Sequence, residues 1–310
     1  MISVRQATHS DYGSYCELWN GIWQNLTKDI AELTRDDDLP VHLRSTRWLA
    51  ILDGQAIGFA EAYRPAGSYQ ATKWLIEVGV NPLARRKGVG RALVTTALDY
   101  VEIQGMQIVD ARVNGEDEYS IGFAQRRGFE EISRDFESVL DLESCDPQGL
   151  RKLASTEFEI ESIAASDSPE FRIALHQAFE EVRQDVPRRD PAVPLTFEFF
   201  MEATLEDPSF LMEGSRVLLD GDRIAGFAGL FKSATEGRID TWLTSLRREY
   251  RGRGLAQALK ASTILWAKAN GYASIRTDNN SDNAPMLAIN DKLGYKRSAA
   301  ILTMRKQAVQ

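Results

Sequence analysis

The chain is poor in the residues that build metal centres and covalent frameworks. Only two cysteines, Cys16 and Cys145, occur among 310 residues, far apart and unaccompanied, which argues against a disulfide scaffold and fits a reducing compartment. The three histidines, His9, His42 and His176, share no ligand spacing with one another or with a cysteine, so no metal site is expected. No run approaches the roughly 18 apolar residues that a membrane span requires. The opening MISVRQATHSDY has no apolar signal core, so the expected location is the cytoplasm and no membrane partner is expected. Positive charge is short as well: 37 Lys and Arg stand against 45 Asp and Glu, a net charge of −8. Nucleic acid is therefore a poor default partner, and any local basic cluster needs a local explanation. Composition does not choose between monomer and homodimer.

One such cluster exists, RRKGVGRAL at 85–93, and it is answered by RGRGLAQAL at 251–259. The offset, 251 − 85 = 166, also pairs Gly105 with Gly271, Asn114 with Asn280, and Gly128-Phe129 with Gly294-Tyr295. Upstream, DGQAIGFAEAY (53–63) is matched by DGDRIAGFAGLF (220–231), each with an Asp-Gly turn signal between apolar runs. A length of 310 residues also suits two domains. The expected division is residues 1–145 and 156–310, with a polar linker at about 146–155.

Periodicity gives both halves the same order. In the first, alternation marks strands at 2–7 and 136–142, strands at 47–52 and 56–63 form the hairpin, and further strands fall at 74–80 and 108–113. Val89, Leu93, Ala97, Tyr100 and Val101 fall on one helix face, and a short helix follows near 118–126. The second half repeats this with a strand at 158–163, a helix from about 169, a hairpin at 215–231, strands at 238–246, 274–279 and 298–305, and helices at 254–270 and 284–293. VPRRDPAVP (186–194) interrupts its opening helices. The class is α/β of the α+β kind, a mixed and mostly antiparallel sheet flanked by helices, built twice. The six tryptophans fall on apolar faces and read as core or inter-domain packing rather than a cation cage. The run Asp36-Asp37-Asp38 reads as a loop or helix start, which near an acceptor cleft would favour a cationic substrate.

A strand, a glycine loop with cations, and a helix make an anion site. The first N–H groups of a helix lack intrahelical partners and, with the helix dipole, attract phosphate. Gly88 and Gly90 let the backbone approach closely. The alternative, a solvated basic loop, must account for two clusters in matching context. The spacing fits neither a P-loop nor a dinucleotide fingerprint; it is Arg-x-x-Gly-x-Gly from Arg85 and Arg-x-x-Gly-x-Ala from Arg251.

These loops resemble the acyl-coenzyme A loop of the GNAT (Gcn5-related) N-acetyltransferases. VGVNPLARRKGVGRAL resembles the family's strand-loop-helix segment, FAQRRGF and INDKLGY its closing helix and Gly-aromatic signature, and VRQATHSD its opening. The resemblance implies a tandem GNAT protein using acetyl-CoA and acetylating an amine, here of an unidentified small molecule, by direct attack. It assigns Val78, Gly79 and Val80, and Thr244, Ser245 and Leu246, to the pantetheine arm. The pyrophosphate falls to Arg85, Arg86, Lys87, Gly88, Val89, Gly90 and Arg91, and to Arg251, Gly252, Arg253, Gly254, Leu255, Ala256 and Gln257. The amides of Val80 and Leu246 are expected to polarise the thioester carbonyl.

Removing the acceptor's proton requires a base. Glu77 is the first candidate, with Glu61 behind it; in the second half Asp240 is the closest carboxylate on the equivalent strand, though several residues earlier. The tyrosine that many members place four residues before the closing glycine is Ala124 in one half and Asn290 in the other, so the thiolate's acid is unassigned. Asn283 and Asn290 are candidates to hydrogen-bond the pantetheine arm or the acceptor, with a helix N-cap as the other reading of Asn283. The missing tyrosines keep a non-catalytic acyl-CoA-binding or regulatory protein open, as well as one catalytic and one degenerate domain. Aminoacyl transfer on the same fold is a further alternative.

Overall fold

The computed structural model describes residues 2–23, 27–64, 70–186 and 194–308. Residues 187–193, inside the segment expected to interrupt the second half's helices, lie outside them. The chain forms two compact units, divided between Ile132 and Ser133 and again between Ile301 and Leu302.

The first unit contains β1 (Ser3–Gln6), α1 (Tyr12–Ile22), α2 (Ile30–Asp38), β2 (Thr46–Leu52), β3 (Gln55–Tyr63), β4 (Lys73–Val80), α3 (Val89–Ile103), β5 (Ile108–Asn114) and α4 (Glu118–Gln125). Strands β1 to β4 pair antiparallel in sequence order, and β5 lies parallel to β4. The apolar face of α1 sets Tyr15 and Trp19 against Phe59 of β3 in a buried cluster with Leu33 and Leu49. On α3, Val89, Leu93, Val94, Ala97 and Val101 are buried, close to the face expected from periodicity; Tyr100 supports it from the edge, its ring 5.2 Å from Trp48.

The second unit contains α5 (Pro147–Ala154), β7 (Glu159–Ser162), α6 (Ile163–Ser166), α7 (Pro169–Val182), α8 (Phe197–Glu202), β8 (Arg216–Asp220), β9 (Arg223–Lys232), β10 (Arg238–Leu246), α9 (Leu255–Ala269), β11 (Ser274–Asn280) and α10 (Ala284–Leu293). Strands β7 to β10 are antiparallel neighbours and β11 is parallel to β10. Two strands cross the unit boundaries, β6 (Glu130–Asp141) and β12 (Lys296–Gln307). Residues 135–141 of β6 pair with β11 in the second unit. The 302–307 end of β12 stands beside β5 in the first, where Arg305 donates to both carboxylate oxygens of Asp110 at 2.7 and 2.9 Å.

Residues 146–155, expected as a linker, are mostly helix. Asp146 caps α5 through Gln148 and Gly149 N–H groups, and Leu150 packs into a core with Ala261 and Ile264 of α9. The polar residues that suggested a linker are the cap and the solvent face of a short amphipathic helix. Asp36 to Asp38 end α2 rather than begin it. The position opposes the helix dipole, and the offset comes from Arg47, which pairs with Asp36 and, at 3.4 Å, with Asp37.

One glycine in β4 is dictated by packing. A Cβ on Gly79 would stand 2.3 Å from Phe59 Cε1 and 2.6 Å from Ile22 Cδ1. Gly79→Ala is expected to lower unfolding free energy by about 1–3 kcal/mol through overpacking, measured by urea denaturation; an unchanged midpoint contradicts this packing.

Candidate active site

In the first unit β4 and β5 pair only over Lys73–Ile76 and Ile108–Ala111. Beyond these residues the two strands have no ladder, and a cleft of about 440 Å³ opens where they part. Its backbone polarity follows from strand alternation. Asn81 N–H donates to Ile57 O of β3 at 2.9 Å, so in this ladder Gly79 also faces β3, while Val78 and Val80 turn their N–H and C=O groups toward the cleft. Arg85 Nε donates to Val80 O at 3.4 Å, as that orientation requires.

The glycine loop closes one end of the cleft. Gly88 is the N-cap of α3 at φ +87° with no side-chain cap and open space where a Cβ would stand. Arg86 also takes a left-handed conformation, φ +64°, and its guanidinium lies 3.7 Å over the Tyr119 ring. Arg85, Arg86, Arg91, Arg126 and Arg127 all line this cleft. The carboxylate among them is Asp117, 3.8 Å from Arg85. Burial, together with the charges of Arg91 and Arg126, pushes the pKa of Arg127 below its ordinary value. Cations so crowded, beside free helix N–H groups, have the chemistry to hold a diphosphate. Acyl-CoA fits the residues present: an open, left-handed glycine at the helix start, an arginine rim, and a strand edge with free amides.

A second pocket, about 370 Å³, lies on the α1–α2 side of the sheet and is lined by Trp19, Lys28, Glu32, Asp36, Tyr63 and Arg112, among others. Arg112 lines both cavities. Glu77 is fully buried behind it: Arg112 Nε donates to Glu77 Oε1, and Oε2 has no hydrogen-bond partner. Burial pushes the Glu77 pKa up, against the pull of Arg112. Glu61, the cross-strand neighbour of Glu77, is buried too, but Lys28 at 2.7 Å and Arg47 at 2.9 Å outweigh burial and hold it below its ordinary value. Glu32 differs from both. It faces the pocket, makes no ion pair among the described residues, and has its pKa raised by burial.

The second unit repeats the frame with altered charges. β10 and β11 pair only at Arg238–Asp240 with Ser274–Arg276. Gly254 caps α9 at φ +77°, and Arg251 Nε donates to Leu246 O at 3.0 Å, as Arg85 does to Val80. Gly252, at φ +75°, stands where the first loop has Arg86. Here, however, Asp185 holds Arg251 at 2.7 Å and also pairs with Arg248, Glu181 holds Arg247 at 2.9 Å, and Glu157 pairs with Arg253. A register shift between Thr241 and Leu243 sets a bulge in β10 at Trp242, and the Trp242 ring packs among Phe179, Phe200, Phe210, Phe227 and Phe231.

Glu77 and Asp240 do not occupy equivalent places. Asp240 lies in the paired part of β10, 3.3 Å from Arg238 and 3.7 Å from Arg276, within an ion cluster that includes Glu137 and Asp278. It stands six positions before Leu246, away from the loop end of the strand; the residue at the offset of Glu77 is Leu243. Asn283 is the N-cap of α10, accepting from Met286 N–H at 3.4 Å. Asn290 is buried and donates to Asn279 Oδ1 at 2.6 Å. Glu32, Arg112, Arg126 and Arg127 were not singled out by the sequence: Glu32 lies upstream of the strings that recur between the halves, and Arg112 belongs to a strand read only for its place in the order. Trp19 and Trp74 are core, as expected, but also lie under Lys28 at 4.1 Å and Arg64 at 3.7 Å. No group of three or more metal-ligating side chains stands together among the described residues. No helix among them is long and apolar enough to cross a membrane.

Strand splay followed by a glycine-capped helix, present in both units, is the frame of an acetyltransferase fold. Residues 12–129 and 169–295 each match the model of the acetyltransferase (GNAT) family, and the chain belongs to that family as a tandem of two such regions. A mycothiol acetyltransferase of Clavibacter michiganensis subsp. michiganensis is 25% identical over 261 residues, covering 82% of this chain and 78% of that protein. Among solved structures, a GCN5-related N-acetyltransferase from Sphaerobacter thermophilus aligns with a TM-score of 0.76 at 16% identity, over 99% of this chain and 95% of that one. A tandem GNAT protein from the clavulanic acid biosynthesis pathway aligns at 0.74 with 19% identity, over 100% and 99% of the two chains. The two structures share the fold. The family and the acetyltransferase relative support acyl transfer from an acyl-CoA.

Proposed function

We propose that the protein transfers an acetyl group from acetyl-CoA to the amine of a small molecule, and that the first unit alone carries the reaction. The observation behind this reading is the difference in free charge between the loops: the first presents a crowded arginine rim to its cleft, whereas the second spends its arginines on Asp185, Glu181 and Glu157. When bound, acetyl-CoA supplies an activated thioester. Arg85, Arg86, Arg91 and the N–H groups after Gly88 hold the diphosphate. Val78 and Val80 offer strand-like hydrogen bonds to the pantetheine arm, and the Val80 amide polarises the carbonyl. Arg112, at the junction of both cavities, orients the reacting centre. The acceptor enters the α1–α2 pocket, where Glu32 takes the ammonium proton so that the lone pair is free. Ala124 offers no acid to the leaving thiolate, whose proton then comes from solvent. Glu77 acts through Arg112 in this reading, as a positioning residue.

Calorimetry with acetyl-CoA, followed by free-thiol release over a panel of small amines, tests the proposal. One molecule bound per chain, with thiol release for at least one amine, supports it. Tight binding with no release for any acceptor favours a binding protein. Because burial raises the Glu32 pKa, kcat/KM is expected to rise with pH through that raised value and level off above it, the base being active when deprotonated. Glu32→Gln is expected to lower kcat by about 100-fold or more and to remove this acid limb; a variant that keeps both rate and limb rules out Glu32 as the base.

A further inference from the structure

The second unit carries buried polar groups at positions of the repeat where the first is apolar. Lys260 of α9 is 1% exposed and makes no ion pair among the described residues. Its ammonium lies 4.8 Å from the centre of the Tyr295 ring, and burial alone pulls its pKa down to about 7. Two further buried atoms, Thr244 Oγ1 on β10 and Asn290 Oδ1 on α10, have no hydrogen-bond partner. The amide of Asn290 is fixed by its donation to Asn279 Oδ1 at 2.6 Å, which leaves Oδ1 as an acceptor without a donor.

These residues belong to one place in the fold. At the offset of 166, Thr244, Lys260, Asn279 and Asn290 correspond to Val78, Val94, Val113 and Ala124, all of which line the donor cleft of the first unit. Every one of these four apolar walls is polar in the second unit. A buried, unpaired ammonium and two orphaned oxygens each carry a desolvation cost of about 1–3 kcal/mol or more, which a ligand of matching polarity removes. The diphosphate of a nucleotide cofactor is not that ligand, because the loop cations it needs are engaged with Asp185, Glu181 and Glu157. Donors from Lys260 and Thr244 suit a carboxylate, and the acceptor at Asn290 requires an adjacent donor on the same molecule.

We propose that the part of the second unit where β10 and β11 cease to pair, the counterpart of the first unit's donor cleft, is a separate site for a small hydroxycarboxylate, with Lys260 and Thr244 donating to the carboxylate and Asn290 accepting from the hydroxyl. The site stands on the second unit's own residues and does not depend on catalysis in the first.

The test is calorimetry on the full chain with glycolate as probe and glycolamide as its uncharged control. The expected result is saturable binding of about one glycolate per chain and none of glycolamide. Lys260→Met, which keeps length and removes charge, is expected to weaken glycolate binding about tenfold or more, as is Thr244→Val to a smaller extent, while acetyl-CoA binding to each variant is unchanged and reports an intact fold. Absence of saturable glycolate binding, or equal binding by wild type and both variants, overturns the proposal. So does a stoichiometry of two acetyl-CoA per chain that falls to one in Lys260→Met, which makes the cleft an acyl-CoA site instead. If Lys260→Met does not fold, Thr244→Val decides between these outcomes.

Discussion

Gly88→Glu is expected to weaken acetyl-CoA binding at least about 100-fold, a loss of about 2.7 kcal/mol, whereas Gly254→Glu leaves it within about twofold. Both glycines cap a helix at positive φ, +87° and +77°, so both substitutions meet the same backbone strain, about 1–2 kcal/mol for a non-glycine residue in that region. Strain therefore cancels between the two variants, and the comparison isolates ligand chemistry. At Gly88 the new carboxylate enters the space where the arginine rim and helix N–H groups converge. There it neutralises cations and repels the diphosphate. At Gly254 it joins a loop already neutralised by Asp185 and its neighbours. Calorimetry measures both affinities. Equal losses in the two variants mean that both loops bind, and an unchanged affinity in Gly88→Glu removes the first loop from the donor site.

The elements of the repeat were legible because backbone geometry left local marks. Asp-Gly turns, the αL glycines at 88 and 254, and the Gly-aromatic pairs at 128 and 294 recur at a nearly constant offset. Helix α3 followed its apolar stripe closely because burial of one face is what makes it a helix. The neighbours of β6 and β12 were not legible, since alternation marks a strand without saying which strand it pairs with. Charge pairing was not legible either. Asp185 lies 66 residues before the Arg251 that it neutralises, a distance over which no periodicity acts, so two loops with similar strings differ in what they have free to bind. Asp240 was chosen by strand membership, and the parallel pairing with Arg276 shows which end of that strand it occupies. Glu32 left no mark of this kind because its helix, α2, carries none of the strings that recur between the halves.

Arg112→Met is expected to reduce both stability and activity, and a second change separates the two effects. Glu77 is fully buried and Arg112 holds one of its oxygens. Removing the guanidinium leaves a carboxylate with no opposing charge of its own in a low-dielectric interior, at a cost of about 3–5 kcal/mol. Lys28 and Arg47 do not replace Arg112, since both are engaged with Glu61. The sign with pH follows from the direction of the Glu77 shift, which lies above the ordinary value already and rises further without Arg112. A folded state with a raised carboxyl pKa binds the proton more tightly than the unfolded chain, so the stability of Arg112→Met is best at low pH and falls as pH passes through the raised value. Glu77→Gln/Arg112→Met removes both charges and is expected to recover most of the lost stability and to abolish that pH dependence. Activity should not return, because Arg112 is the side chain that lines both cavities. Urea unfolding across pH and thiol-release kinetics on the four proteins of the cycle read the two quantities separately. A double variant that regains activity along with stability makes Arg112 a partner for Glu77 alone, with no part in placing the reacting groups.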